Sequence, residues 1–392
     1  MKRIAILGST GSIGVQTLEV IAQFPDRFTA YGLTANSRTD ALQEQVARFG
    51  PSAIAVNEER YAALLPNYHG KPSVGVGVDG LIDVVTHPDV DVVVSALPGS
   101  AGLIPTLKAI EAGKTVALAN KEILVMAGAI ITQAAQKAGV PILPIDSEHS
   151  AVLQCLEGQS PDRIHRIILT ASGGPFLHTE AELLSRMSPS EALAHPTWVM
   201  GEKVTIDSAT MMNKGFEVLE AHWLFGLPVS RVDVVIHPQS IIHSMVELVD
   251  GSILAQLGVP DMRLPIQYAL TYPERLQGGW PRFDLTRQWN LTLLPPDQEK
   301  FPCLRLAYEA GQLGGGYPAV LSAADEIAVS AFLEKRIGFT EIARLIQEAM
   351  DAFGATRQTQ APLTLEQIVA ADIWARRFCR ERISVHTGAE FA

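Results

Sequence analysis

Short apolar runs alternate with amphipathic stretches of helical period over the first 146 residues. The runs are continuous and rich in Val and Ile, as expected for strands that are covered on both faces. They lie at residues 4–7, 28–34, 53–56, 90–96, 115–119 and 141–145. Helical patterns lie between them, for example at residues 13–22 and 39–49. This alternation predicts an α/β fold with an N-terminal doubly wound, Rossmann-like parallel sheet.

The pattern changes after about residue 150. Buried-strand patterns recur at residues 164–170, 203–206 and 232–236, and two further strand-like runs, 242–249 and 252–257, flank Asp250-Gly251 and predict a hairpin. From about residue 302 the period is helical, and Thr364-Leu-Glu-Gln367 is a capping box. We expect an N-terminal domain at 1–146, a central α+β catalytic and dimerisation domain at 147–281, a linker at 282–305 and a C-terminal helical bundle at 306–392.

Composition narrows the class of protein. The 392 residues are 47% hydrophobic, which allows a substantial core in two or three domains. The formal net charge of −11 argues against non-specific nucleic-acid binding. The three cysteines are widely spaced without a CxxC motif, so they suggest neither a zinc site nor a disulfide framework. With no long apolar segment, we expect a cytoplasmic protein without nucleic-acid or membrane partners.

A glycine-rich segment, Gly8-Ser-Thr-Gly11-Ser-Ile-Gly14, lies between the first predicted strand and the first predicted helix. Glycines there let the backbone approach a pyrophosphate, and a helix N-terminus favours anions, so the segment indicates dinucleotide binding over a plain tight turn. The second strand ends in Asn36-Ser37-Arg38 instead of the acidic residue typical of NAD sites. Arg38 could pair with a 2′-phosphate, which favours NADP(H). The alternative is that Arg38 is a solvated loop charge.

Two carboxylates follow the last predicted strand of the first domain. Residues two apart in an extended segment point to the same side, so Asp146 and Glu148 would converge beyond the strand end. Like charges there need a proton or a cation, and carboxylate oxygens suit Mg²⁺ or Mn²⁺. The alternative is two solvated acids.

If a helix begins near Met211, Asn213 and Glu217 share one of its faces.

Histidines could suggest a zinc site instead. His149, His195, His237 and His243 lie close to the other polar motifs, but none of them has HxxxH spacing. Zinc is therefore disfavoured, and hydrogen bonding near an anion is the better interpretation.

Eight motifs resemble the 1-deoxy-D-xylulose 5-phosphate reductoisomerase family. They are GSTGSIG, ANKE, DSEHSA, ASGGPF, HPTWVMG, DSATMMNKG, HPQSIIHSMVE and GVPDMR, in that order between Gly8 and Arg263. The resemblance implies a homodimeric NADPH enzyme of the non-mevalonate isoprenoid pathway. Such an enzyme uses Mg²⁺ or Mn²⁺ and converts its sugar-phosphate substrate to 2-C-methyl-D-erythritol 4-phosphate.

The resemblance also implies roles for individual residues. The catalytic set would be Lys121, Asp146, Glu148, His195 and Glu217, of which Asp146, Glu148 and Glu217 would bind the metal. Near its reacting carbons the substrate would contact Lys121, Ser147 and Glu148. Its phosphate would contact Ser172, Ser208, Asn213 and Lys214, with His195 close by. Glu217 would also contact the substrate, and Trp198 would cover it from a flap. The cofactor would contact Thr10, Gly11, Ser12, Ile13, Asn120, Glu122 and Gly201, and also Asn36, Ser37 and Arg38, where the motif departs from the Gly-Lys-Asn of other versions.

Two other functions fit the same residues. One is an ordinary NADP-linked dehydrogenase or sugar-phosphate reductase with a structural metal. The other is a non-catalytic NADP-binding sensor, which would not need three carboxylates and lysines around one crevice.

Overall fold

The computed structural model describes residues 1–66, 72–355 and 363–387. Two compact units account for them. The first comprises residues 1–123, 131–153 and 261–282, and the second comprises residues 124–130, 154–260 and the described residues from 283 onward. The four-segment division expected from the sequence stays a prediction.

The strands are β1 (Lys2–Leu7), β2 (Phe28–Ala35), β3 (Ala53–Val56), β4 (Ser73–Val76), β5 (Val92–Ser95), β6 (Thr115–Leu118), β7 (Ile142–Pro144), β8 (Ile164–Ala171), β9 (Val232–Ile236), β10 (Ile242–Leu248) and β11 (Ile253–Leu257). The helices are α1 (Ser12–Gln23), α2 (Thr39–Phe49), α3 (Glu59–Ala62), α4 (Gly77–Thr86), α5 (Leu103–Glu111), α6 (Glu122–Ala138), α7 (Ser147–Cys155), α8 (Pro189–Ala192), α9 (Glu202–Thr210), α10 (Met212–Phe225), α11 (Arg263–Thr271), α12 (Pro302–Leu313), α13 (Tyr317–Leu333), α14 (Phe339–Gly354) and α15 (Leu365–Thr387).

The first unit is built on a seven-stranded sheet in the order β4-β3-β2-β1-β5-β6-β7. All six strand pairs are parallel, which confirms the Rossmann-like prediction. Strand β4 was not predicted, because Ser73-Val-Gly-Val76 is short and partly exposed and so lacks an apolar run. The order of strands reverses between β1 and β5, and ligands of such sheets bind beyond the strand ends at that point.

The core of the first unit draws on residues far apart in the chain. Ile4 and Ile54 of the sheet are completely buried in one cluster with Ile266 and Leu270 of α11. The Lys2 ammonium also donates to the backbone carbonyl of Leu270 at 2.8 Å. Burial of this apolar face explains why residues 261–282 belong with the N-terminal sheet.

The second unit contains a four-stranded sheet in the order β11-β10-β8-β9. Strand β10 is antiparallel to β8 and β11, so the hairpin predicted at Asp250-Gly251 is confirmed. The strand predicted at residues 203–206 is wrong, since these residues lie in α9. A four-residue apolar run cannot separate a strand from a buried helix, and Lys203 and Asp207 pair across one helical turn.

Helices α12 to α15 complete the second unit, as the helical period predicted. The capping box is confirmed: the Thr364 N–H donates to Gln367 Oε1 at 2.9 Å, and the Gln367 N–H donates to Thr364 Oγ1 at 3.4 Å. Among the helices of the described residues, none is long and apolar enough to cross a bilayer.

Candidate functional site

The glycine-rich loop of the first unit connects β1 to α1. Gly8 has φ +86°, and a Cβ on it would lie 2.8 Å from the Ala96 carbonyl oxygen beyond β5. A Cβ on Gly14 would lie 2.3 Å from the Gly8 carbonyl oxygen. Gly11 is the N-cap of α1 and has no side chain, so the N–H groups of the first turn, at Ser12 and Ile13, are left for a ligand. The loop therefore has the close backbone packing of a pyrophosphate site.

The segment after β2 lies beside this loop. Asn36, Ser37 and Arg38 are exposed, and Arg38 Nη1 donates to the backbone carbonyl of Thr10 at 3.2 Å. The guanidinium is thus next to the glycine-rich loop, where a 2′-phosphate would be within its reach. Ser9, which we did not predict, holds the loop by donating from Oγ to Gln45 Oε1 at 2.7 Å.

The ANKE motif follows β6. Asn120 is buried and donates from Nδ2 to the Gly99 carbonyl at 2.9 Å. A Cβ on Gly102 would lie 2.4 Å from that amide nitrogen, so the packing fixes the amide. Glu122 begins α6, where the helix dipole favours a carboxylate. The Asn120 amide is therefore fixed beside the sheet, and Glu122 lies at the start of the helix that follows.

Lys121 and Asp146 follow the neighbouring strands β6 and β7 and form an almost completely buried ion pair between Nζ and Oδ2. The extended geometry expected for residues 146–148 is wrong, because α7 begins at Ser147. The Asp146 carbonyl accepts from the Ser150 N–H at 2.8 Å, and Ser147 Oγ donates to Glu148 Oε2 at 2.6 Å. Asp146 and Glu148 therefore lie at a helix N-terminus, which stabilises carboxylates.

In the second unit, the ASGGPF loop follows β8. Gly173 and Gly174 have φ +86° and +68°, and a Cβ on Gly174 would lie 2.7 Å from the Ser208 carbonyl oxygen. The loop is therefore pressed against the end of α9, which carries Ser208. The Lys300 ammonium donates to the carbonyls of Phe176 and Leu177, each at 2.9 Å. Nothing in the sequence around Lys300 predicts this clamp.

The DSATMMNKG motif spans two helices. Met211 has φ +65° and separates α9 from α10, so the predicted helix start near Met211 is confirmed. Asn213 Nδ2 donates to Glu217 Oε1 at 2.6 Å, and Lys214 forms an ion pair with Glu217 Oε2. Lys214 and Glu217 are both buried. Asn213 and Glu217 share one helix face, as the spacing predicted.

A second buried charge cluster lies in α9, at the residues where the sequence pattern predicts a strand. Lys203 Nζ lies 2.6 Å from Asp207 Oδ2 and 2.9 Å from Asp325 Oδ2. Both carboxylates are buried. The lysine thereby links α9, which also carries Ser208, to α13. The KxxxD spacing of Lys203 and Asp207 is the sequence feature that indicates an ion pair along a helix.

The segment at residues 195–201, which we call the flap after the predicted role of Trp198, begins at half-buried His195. Its Nε2 lies 3.0 Å from Ser172 Oγ, and its Nδ1 accepts from the backbone N–H groups of Thr197 at 3.1 Å and Trp198 at 2.9 Å. Burial lowers the pKa of His195. The Trp198 ring lies 6.3 Å from the His243 ring. Gly201 ends the flap as the N-cap of α9.

Within each unit, then, several predicted residues lie together. In the first, Lys121 pairs with Asp146, and Ser147 contacts Glu148. In the second, Ser172 contacts His195, and Asn213 and Lys214 both contact Glu217.

Family models match most of the chain. A model described as 1-deoxy-D-xylulose 5-phosphate reductoisomerase matches residues 4–128. Models of a C-terminal domain of the same enzyme match residues 142–225 and 257–378.

Individual relatives agree. The 1-deoxy-D-xylulose 5-phosphate reductoisomerase of Chlorobaculum tepidum is 52% identical over 98% of this chain and 100% of its own length. The protein of that name from Geobacter metallireducens is 54% identical over the same shares. A crystal structure of DOX-P reductoisomerase with NADPH, fosmidomycin and magnesium has a TM-score of 0.94, 42% identity and complete coverage of both chains. The Zymomonas mobilis enzyme with NADPH has a TM-score of 0.88 and 40% identity over 97% of this chain and 99% of its own.

Proposed function

The chain belongs to the 1-deoxy-D-xylulose 5-phosphate reductoisomerase family, and on that premise we propose that it converts 1-deoxy-D-xylulose 5-phosphate to 2-C-methyl-D-erythritol 4-phosphate. NADPH and Mg²⁺ or Mn²⁺ are the expected cofactors, because a structure with 42% identity and complete coverage holds NADPH and magnesium. That full-length likeness is the observation that carries the proposal. The substrate rearranges by retro-aldol cleavage and recombination to an aldehyde, which then takes up one hydride and one proton.

The first unit suits NADPH. Thr10, Gly11, Ser12 and Ile13 lie at the start of α1, where backbone N–H groups suit a pyrophosphate, and the bare Gly8 and Gly14 let the loop backbone pack closely beside them. When bound, the nicotinamide supplies the hydride. Asn120, Glu122 and Gly201 complete the proposed cofactor contacts.

The 2′-phosphate contacts are proposed separately, since the loop departs from the family motif there. Arg38 lies beside the Thr10 carbonyl and is exposed. Its planar guanidinium can form paired hydrogen bonds with a phosphate, and the exposed Asn36 and Ser37 can add further donors.

The second unit suits the substrate phosphate. Ser172, Ser208, Asn213 and Lys214 offer hydroxyl, amide and ammonium donors from the ASGGPF loop and from the two sides of the α9–α10 junction. The N-terminus of α10, a helix of 14 residues, also favours an anion. A phosphate is remote from the bond that breaks, so its binding energy can serve orientation of the reacting carbons.

The proposed metal ligands are Asp146, Glu148 and Glu217. The donor set fits a hard dication, because all three are carboxylates and hard ions prefer oxygen. Asp146 is paired with Lys121, and Glu217 is paired with Lys214, so these two carboxylates lie where a positive charge is already accommodated. These residues would hold the ion, which when bound would supply Lewis-acid chemistry to the substrate.

The remaining residues position charge and exclude water. We assign Lys121 and the Ser147 hydroxyl to stabilise negative charge on substrate oxygens as carbon bonds rearrange. Trp198 would cover the substrate when the flap closes, keeping water from the aldehyde.

The test is a spectrophotometric assay of NADPH oxidation, with the product identified by mass spectrometry. We expect oxidation with 1-deoxy-D-xylulose 5-phosphate that depends on Mg²⁺ or Mn²⁺ and stops when a chelator is added. Oxidation with simple keto acids instead would indicate a generic dehydrogenase. Tight NADPH binding without turnover of any sugar phosphate would indicate a sensor.

We also propose a homodimer in the cytoplasm. Strand β11 is at an edge of its sheet, and Ile253 and Leu257 are 53% and 42% exposed on it. Exposed apolar edges favour pairing with another chain. Light scattering should give twice the chain mass, and Ile253→Lys with Leu257→Lys should lower it. The three unpaired cysteines suit a reducing compartment.

A further inference from the structure

The two ring nitrogens of His195 have different partners. Nδ1 accepts hydrogen bonds from the backbone N–H groups of Thr197 and Trp198. A backbone N–H can only donate, and a neutral imidazole has one nitrogen with a lone pair and one with a hydrogen. The lone pair is therefore on Nδ1 and the hydrogen on Nε2, which lies 3.0 Å from Ser172 Oγ.

This assignment determines what Ser172 can do. Its oxygen accepts from His195 Nε2–H and from the Gly174 N–H, the latter at 3.2 Å. A hydroxyl has two lone pairs and one hydrogen, so both lone pairs are occupied. The hydrogen of Ser172 is left to donate to a third group, which suits a phosphate oxygen.

We propose that His195 is a positioning residue that acts as its Nε2–H tautomer: one nitrogen anchors the backbone of the flap at Thr197 and Trp198, and the other orients the Ser172 hydroxyl as a donor. The identity of the ligand that Ser172 meets rests on the proposed function. The tautomer and the anchoring do not. The histidine couples the flap to Ser172, because a ring that turned away would lose its contacts with the flap backbone and with the Ser172 hydroxyl together.

His237 provides an internal comparison in the same unit. Its Nδ1 lies 2.8 Å from the Thr292 carbonyl oxygen, which can only accept, and its Nε2 accepts from the Ile241 N–H at 3.2 Å. The hydrogen of His237 is therefore on Nδ1, the opposite tautomer. One spectrum of the protein should show both forms.

The first test is nitrogen NMR of protein labelled with ¹⁵N-histidine, without ligands. We expect His195 to show a protonated Nε2 and an unprotonated Nδ1, with the reverse at His237. Signals assigned with His195→Gln and His237→Gln identify each ring. An Nδ1-protonated His195 in the folded protein would overturn the proposal.

The second test separates the two nitrogens by substitution. An Asn side chain can place an oxygen near the Nδ1 position, while a Gln side chain can place its amide nitrogen near the Nε2 position. We expect His195→Gln to speed hydrogen exchange of the Thr197 and Trp198 amides and to lower kcat. We expect His195→Asn to keep those amides protected but to raise KM by about tenfold, the effect of one lost hydrogen bond.

The outcomes are distinguishable from failure of the proposed function. Exchange and tautomer are measured on the protein alone, so they stand even if no sugar phosphate is turned over. Equal exchange of the Thr197 and Trp198 amides in both variants and in the unsubstituted protein would show that His195 does not anchor the flap. Equal changes of KM and kcat in both variants would reduce His195 to a general structural role.

Discussion

The close approach of Gly174 to Ser208 can be tested with a matched pair of substitutions. Gly174 and Gly226 have nearly the same φ, +68° and +67°, and both belong to the second unit. A Cβ on Gly174 would lie 2.7 Å from the Ser208 carbonyl oxygen, whereas a Cβ on Gly226 has open space within 4 Å. Gly174→Ala and Gly226→Ala therefore impose the same strain of a positive φ on alanine, and only Gly174→Ala adds a close contact with Ser208.

The strain alone costs about 1–2 kcal/mol, because an L-residue resists the left-handed region. The unfolded chain also loses a similar amount of conformational freedom in both variants, so that effect cancels in the comparison. Overpacking a close contact adds roughly 1–3 kcal/mol. We expect Gly174→Ala to lower the free energy of unfolding by about 1–3 kcal/mol more than Gly226→Ala does.

The effect on KM should distinguish Gly174→Ala from Gly226→Ala further. Relief of the contact moves the ASGGPF loop away from α9, which carries Ser208, so KM for 1-deoxy-D-xylulose 5-phosphate should rise by about tenfold, the loss of one hydrogen bond to the phosphate. Gly226→Ala should leave KM unchanged. Urea unfolding and initial-rate kinetics measure both quantities. Equal destabilisation by the two variants, with an unchanged KM in Gly174→Ala, would refute the reasoning.

Four further outcomes are expected. Arg38→Ala should raise KM for NADPH far more than for NADH in initial-rate assays, and equal effects would remove the 2′-phosphate contact. Glu217→Gln should lower kcat and raise the Mg²⁺ concentration for half-maximal rate, whereas full activity at limiting metal would exclude it as a ligand. Lys300→Met should raise KM for the sugar phosphate through the loop that carries Ser172, with recovery in Lys300→Arg; an unchanged KM in Lys300→Met would show that the clamp does not position the loop. Since burial lowers the pKa of His195 from 6.5, the unfolded state takes up its proton first. The free energy of unfolding should therefore fall as pH drops below about 7, and less steeply in His195→Gln by urea titration; equal slopes would contradict this.

The fold could be predicted where a local pattern is strong. Helix α2 has the predicted bounds at Thr39–Phe49, and the β10–β11 hairpin surrounds Asp250-Gly251 as expected. The prediction was wrong at residues 203–206, where four residues fit either period and a contact with Asp325, more than a hundred residues away, helps to hold the helix. Apolar periodicity carries no information on such a partner.

The candidate site shows the same division between local and long-range information. Helical spacing was enough to place Asn213 and Glu217 together, because both lie in one helix. The Lys300 clamp on Phe176 and the ring of His195 against Ser172 join residues from separate segments, so no spacing rule could find them. What sequence supplies for such contacts is the residue type, and the fold supplies the partner.

The lysines next to the proposed metal ligands have a consequence for folding. Removing a carboxylate from water costs several kcal/mol unless an opposite charge accompanies it. Asp146 is paired with Lys121 inside the first unit, and Glu217 is paired with Lys214 inside the second. Each unit therefore compensates its own buried acid with a lysine of the same unit, and loss of either lysine would leave a carboxylate without its charge partner.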